Sequence, residues 1–223
     1  MNKKSAFTLA EVLITLVIIG VVAAITLPSV FAEYREAERS GRVKKCYSTL
    51  ANAMTVAKSL GSDMDFTVVD QNTQNMRDWF DTFLKPSLST TKVCYDTAGC
   101  WSKGDTKYKN GRVVPWSRRG KGIGDNTIIA VLNDGTFINI DAYHKGDIKN
   151  TYGVEIAEQK GLVIYFDING AREPNTVGND IFAVVYKDGG LVPAYNGAAE
   201  AKIASDCTKR GTGLSFVLKY LKQ

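Results

Sequence analysis

Between Asp167 and Asp180 the chain concentrates oxygen donors: Asp167, Asn169, Asn175, Asn179 and Asp180 alternate with Gly170, Pro174 and Gly178. The run Asp-x-Asn-Gly resembles the opening of calcium loops, and hard oxygen donors on a turn-rich segment suit Ca2+ better than Zn2+. If calcium binds, its expected ligands are Asp167, Asn169 and Asp180. The terminal Glu of the full calcium-loop pattern is absent, and Asx turns also account for these residue types. Four cysteines form the next group. Cys94 and Cys100 enclose Tyr-Asp-Thr-Ala-Gly, a loop that one disulfide can close, which leaves Cys46 and Cys207 as the second expected pair. A metal site is the weaker reading of these thiols, because their spacing is irregular and His144 is the single histidine. His144 has no second His, no evident nucleophile and no paired acid beside it in sequence, so no enzyme is expected. Gly120, Gly122 and Gly124 lack the Gly-Lys-Ser/Thr ending of a phosphate loop and precede a strand pattern, which excludes that chemistry.

One further acid, Glu11, stands inside an apolar run from Phe7 to Pro28. As a helix, Phe7 to Ala32 would be roughly 39 Å long, enough to cross a hydrocarbon core of about 30 Å. A secretory signal peptide has a shorter apolar core of about 7 to 15 residues and a small-x-small cleavage site. A plain single-span anchor, with Lys3 and Lys4 kept cytoplasmic, fits the length but leaves Glu11 without a reason. A carboxylate at mid-membrane costs roughly 2.5 to 3.5 kcal/mol, less toward an interface.

The segment resembles the N-terminal region of type IV pilins and pseudopilins: a short basic leader, then Phe-Thr-Leu-x-Glu, then about 20 apolar residues with a proline near the end. The family usually has Gly before the Phe; here the residue is Ala6, also small. The resemblance implies cleavage by prepilin peptidase between Ala6 and Phe7 and methylation of the new amine on Phe7. It implies assembly through Glu11, with Gly20 and Pro28 at the family's helix-weakening positions. The expected parts are a leader over 1–6, a transmembrane and filament-core helix over 7–32, its continuation over 33–60, and a globular head over 61–223. Sister pilin or pseudopilin subunits, the peptidase and the bacterial cytoplasmic membrane are the implied partners, with the head outside the cytoplasm before the subunit joins an envelope or surface filament. Disulfides are permitted there. Asp-x-Asn-Gly…Pro-Asn…Gly-x-Asp also resembles a stretch in some pilin-like heads, and major pseudopilins hold calcium in a comparable late loop. From a different class, an uncleaved single-span module could use its head to capture DNA, glycans or other polyanions.

The elements that must position these residues follow from periodicity. Residues 33–42 are polar and helical in propensity; from Val43 a stripe of Val43, Tyr47, Leu50, Met54, Ala57 and Leu60 runs to a stop at Gly61. One continuous helix from membrane to head is the economical reading. Met76, Trp79, Phe80, Phe83 and Leu84 predict a core helix ending at Pro86. Residues 88–125 read as an irregular, exposed region pinned by the Cys94–Cys100 loop, its run Trp116 to Lys121 being a surface loop before it is a nucleic-acid patch. Hairpins are predicted at 127–140 and 181–193 around Asn-Asp-Gly and Lys-Asp-Gly-Gly, with a strand at 162–166 and a terminal helix at 214–221. The result is an α+β fold, a long N-terminal helix on an antiparallel sheet. A net charge of +5, of which +4 follows Pro28, permits a polyanionic ligand but is ordinary for a solvated surface. At 44% hydrophobic and 23% charged, the chain has the composition of a globular protein rather than a disordered one.

Overall fold

The computed structural model describes residues 8–59 and 73–222. The chain divides at Ser40 and Gly41 into two compact units.

The first unit is formed by the opening half of α1 (Leu9–Ser59). Its apolar side chains are exposed, Leu9 at 78% and Ile25 at 73% among them. The hydroxyls in this stretch bond within the helix: Thr15 donates to the Val12 carbonyl, Thr26 to Val22 and Ser29 to Thr26. None of the three therefore brings an unpaired donor into an apolar surrounding. Pro28 lies inside the helix; having no N–H, it removes one rung of the hydrogen-bond ladder. Among the described residues this is the one helix long and apolar enough to cross a membrane.

The second unit is built on a six-stranded antiparallel sheet: β1 (Thr90–Tyr95), β4 (Ile128–Leu132), β5 (Phe137–His144), β6 (Lys160–Asp167), β7 (Ile181–Lys187) and β8 (Gly190–Pro193), in that spatial order. A two-residue ladder pairs β2 (Ser117–Arg118) with β3 (Gly122–Ile123). Because side chains alternate across a strand, β6 sends Leu162, Ile164 and Phe166 to one face and Val163 and Tyr165 to the other, and all five are buried. Both faces of the sheet are covered.

Val43, Cys46, Leu50, Ala53, Met54 and Ala57 of α1 pack on the first face, with Leu50 fully buried. The i, i+3/i+4 spacing gathers them on one stripe. Lys45 and Tyr47 secure the helix at its flanks, the ammonium 2.7 Å from Asp134 in the β4–β5 turn and the phenol donating to the Leu191 carbonyl at 3.0 Å. Leu60 and Gly61, the predicted end of this stripe, lie outside the described residues. Beside the helix sit α2 (Thr73–Trp79), a π turn (Phe80–Leu84) and a 3-10 turn (Lys85–Ser87) that absorbs Pro86, and then α5 (Phe216–Leu221).

The second face corrects one expectation. Residues 88–125 are not an exposed loop: they supply β1 and a second core in which Trp101 (3% exposed), Val114 and Ile123 pack on Ile129, Tyr165 and Ala183. Their polar composition hid an apolar residue every few positions, with neither helix nor strand period. The hairpins and the 162–166 strand are present with ends shifted by a few residues. The terminal helix starts at Phe216, two residues later than expected, and the short α3 (Lys145–Asp147) and α4 (Glu200–Asp206) lacked a readable stripe.

The cysteines divide. Cys94 and Cys100 are disulfide-bonded as expected. The expected pairing of Cys46 with Cys207 is not made, and both are free thiols. Cys46 lies on the buried face of α1 in the first core, where burial pushes its thiol up. Cys207 follows α4, with its sulfur 3.6 Å from the Ser215 hydroxyl. Both border the first core, but sharing a core does not bring two backbones to the separation and orientation a disulfide needs.

Candidate functional site

At the start of α1, Thr8 and Glu11 cap the helix reciprocally. The Thr8 N–H and hydroxyl both donate to Glu11 Oε2 at 2.8 Å, and the Glu11 N–H points to Thr8 Oγ1 at 3.3 Å. The Thr8 carbonyl accepts from the Val12 N–H at 3.2 Å, which makes Thr8 the N-cap. Thr-x-x-Glu is thus a capping box, a signal present in the sequence but overshadowed by the question of what a charge does in an apolar helix. The caps offset part of the carboxylate's desolvation and favour an acid near the positive end of the helix dipole. Ala6 and Phe7 lie outside the described residues. Gly20 and Pro28 fall within the helix, and a Cβ on Gly20 would meet nothing within 4 Å.

The acidic loop connects β6 to β7. Asp167 ends β6, fully buried, and its Oδ1 accepts the N–H groups of Asn169 and Gly170 at 3.0 Å each. Asp180 precedes β7, 3% exposed. Its two oxygens take the N–H of Asn175 at 2.7 Å, the N–H of Thr176 at 2.6 Å and the Asn169 amide at 3.1 Å. The structure therefore brings Asp167, Asn169 and Asp180 into one hydrogen-bonded loop. Asp167 Oδ2 and Asn169 Oδ1 are buried without a partner. Burial, then the neighbouring Asp180 charge, pushes the Asp167 carboxyl well above its usual range, and burial raises Asp180 too. Two unpaired oxygens beside two carboxylates that resist ionising are the environment a hard cation relieves. Asp167 and Asn169 fit as direct ligands. Asp180 fits better as the residue that shapes the loop, since backbone and amide donors occupy both its oxygens. Among the described residues no three His, Cys, Asp or Glu side chains converge on one point, so a cation here would depend on amide and carbonyl oxygens.

A second polar pair was not foreseen. Asn139 and Asp141 point from β5 into the second core, buried at 0% and 5% exposure. Asn139 accepts from the Ile123 N–H at 3.0 Å and donates to the Ile123 carbonyl at 2.9 Å; Asp141 accepts from the Asp125 N–H at 3.0 Å. These side chains hold the 122–125 backbone against the sheet. That backbone passes so close that a Cβ on Gly122 would lie 1.9 Å from Asn139 Oδ1, and one on Gly124 1.8 Å from Asp141 Oδ2. The glycine series at 120–124 is there for close approach and left-handed φ, not for phosphate. Burial holds the Asp141 carboxyl up at about 6.

No curated protein and no solved structure matches the chain. Residues 1–27, which include the capping box and most of the apolar run, match the family model described as the prokaryotic N-terminal methylation motif, so the chain carries the signature of type IV pilin and pseudopilin precursors.

Proposed function

We propose that the protein is a structural subunit of a type IV pilus-like or type II secretion pseudopilus filament. In this reading prepilin peptidase cuts before Phe7, the single span waits in the bacterial cytoplasmic membrane with its head outside the cytoplasm, and α1 then becomes filament core among sister subunits. The observation that carries it is the methylation motif at residues 1–27 joined to a helix whose large apolar side chains are exposed from Leu9 to Phe31. Lipid and sister helices are two covers for that surface. Glu11 is a cost in the first and gains a cation in the second, the amine of a neighbouring Phe7. N-terminal sequencing of protein recovered from the envelope tests the reading. A methylated Phe7 is expected, and an intact Met1 would favour the uncleaved anchored module instead.

Two finer assignments accompany it. Calcium is proposed for the 167–180 loop, held by Asp167 and Asn169 with Asp180 organising the loop; bound there, the cation would supply the positive charge that the buried carboxylates lack. A polyanionic ligand is supported by one observation: residues 88–125 hold eight Lys and Arg against three Asp, a net +5 equal to that of the whole chain. Lys107 and Arg112 in this layer make no ion pair among the described residues, and Trp116 is 64% exposed.

A further inference from the structure

The acidic loop, the disulfide loop and the start of β5 enclose a cleft of about 590 Å³, within the range of roughly 300 to 1,000 Å³ common for small-molecule sites. Its apolar base is the pair Trp101 and Phe137, with ring centroids 6.2 Å apart and planes inclined at 44°. One wall is fixed by the Cys94–Cys100 bridge and by two backbone bonds, from the Gly99 N–H to the Gly120 carbonyl at 3.0 Å and from the Gly120 N–H to the Ser102 carbonyl at 2.8 Å. The opposite wall carries Glu173 and Asn175.

The polar groups around this base are unspent. Glu173 is exposed, and its carboxylate makes no hydrogen bond or ion pair among the described residues; the Lys103 ammonium is likewise exposed and without a partner there. Asn175 is 3% exposed, and its Oδ1 is buried with no hydrogen-bond partner. Gly104 leaves room for both: a Cβ there would stand 3.2 Å from Asn175 Nδ2 and 3.9 Å from Glu173 Oε1. Carboxylate and amide thus lie side by side over a residue that has no side chain. The remaining charge at the rim, Arg119, is committed to Asp105 through two bonds of 2.9 and 3.0 Å.

This arrangement selects a chemistry. A polyanion would meet the Glu173 carboxylate, whereas a purely apolar ligand would cover the Glu173 carboxylate and the Lys103 ammonium without giving either a partner. A ligand with one C–H face for the aromatic base and one edge of hydroxyls satisfies both, since a carboxylate accepts O–H bonds while an amide both accepts and donates. We propose that this cleft binds a neutral saccharide unit, its ring against Trp101 and Phe137 and its hydroxyls on Glu173, Asn175 and Lys103. The site is separate from the apolar helix, and the proposal stands whether or not the subunit is cleaved and assembled.

The test uses the full chain in detergent, with calcium held constant, and maltose, cellobiose, lactose and chitobiose as probes in saturation-transfer NMR and calorimetry. Binding of at least one disaccharide is expected, weakened about tenfold by Glu173→Ala and by Lys103→Ala, as the loss of one charge-assisted hydrogen bond implies. Both positions are exposed, so the fold tolerates the changes. Absence of binding by every probe would overturn the proposal, as would binding that neither substitution alters. Displacement of the bound sugar by a heparin fragment would overturn it too, by assigning the cleft to polyanions.

Discussion

At the N-terminus of α1, both Thr8 donors converge on one oxygen of Glu11, which leaves the negative charge in place while satisfying part of its hydrogen-bonding demand. Capping and charge pairing are therefore separable. Glu11→Gln keeps an acceptor for Thr8 and removes the charge; Glu11→Ala removes both. If the carboxylate pairs with a neighbour's amine during assembly, both variants insert normally in the membrane and both fail to enter filaments, as immunoblots of sheared filament and membrane fractions would register. Normal incorporation of the Gln variant would instead reduce Glu11 to a cap worth about 1 kcal/mol. Asp141 is the second residue with a legible consequence. Its folded pKa of about 6 lies above the ordinary 3.8, chiefly through burial, with Asp125 adding to the rise and the Ala142 and Asp125 N–H groups and Arg118 opposing it. The folded state thus holds this proton more tightly than the unfolded chain does. The associated stabilisation is complete below the unfolded value and is lost as pH rises through about 6. Relative to Asp141→Asn, the native protein should gain about 1 kcal/mol on going from about pH 7.5 to about pH 5, measured by denaturant unfolding. Equal pH slopes for the two proteins would refute this.

Among the elements, the 122–125 segment shows most plainly how backbone and sheet fit together. Gly124 has φ +129°, and a Cβ there collides with the Asp141 carboxylate. Gly124→Ala is expected to cost about 3 kcal/mol or more, from strain together with displacement of a buried acid, seen as a lowered denaturation midpoint. Gly135, in the β4–β5 turn, also has a positive φ of +85° but has nothing within 4 Å of its Cβ position. Gly135→Ala should cost only about 1 kcal/mol, so the difference between the two substitutions isolates the steric part. The glycine run was readable as a place where side chains are forbidden. The reason was not, because Asn139 and Asp141 are 15 or more positions away in sequence and meet the run only through the sheet.

At the scale of the molecule, the head is a sheet covered on both faces, with the acidic loop at the β6–β7 connection. If calcium occupies that loop, adding it to the full chain raises the melting temperature, because binding to the folded state alone stabilises by about 2.7 kcal/mol at a hundredfold excess over Kd. Asp167→Asn should remove most of the rise, and chelator should reverse it in the native protein. Melting curves that superimpose with calcium and with chelator would exclude the site.

The local signals in the sequence were decisive where the physics is local. Apolar run length specified α1, the Asn-Asp-Gly and Lys-Asp-Gly-Gly turns located the hairpins, and the six-residue spacing of Cys94 and Cys100 allowed their bridge. Capping is equally local, and Thr8-x-x-Glu11 was legible by the same rule. Burial is not local, and there the tertiary structure decided. It alone showed that a polar stretch from 88 to 125 covers the second face of the sheet, because Trp101, Val114 and Ile123 follow no helix or strand period. It kept Cys46 and Cys207 as free thiols, since disulfide geometry depends on the approach of two backbones rather than on a count of cysteines. It also gave Asp180 its partners, the N–H groups of Asn175 and Thr176 and the Asn169 amide, which meet it only once the 167–180 loop is closed.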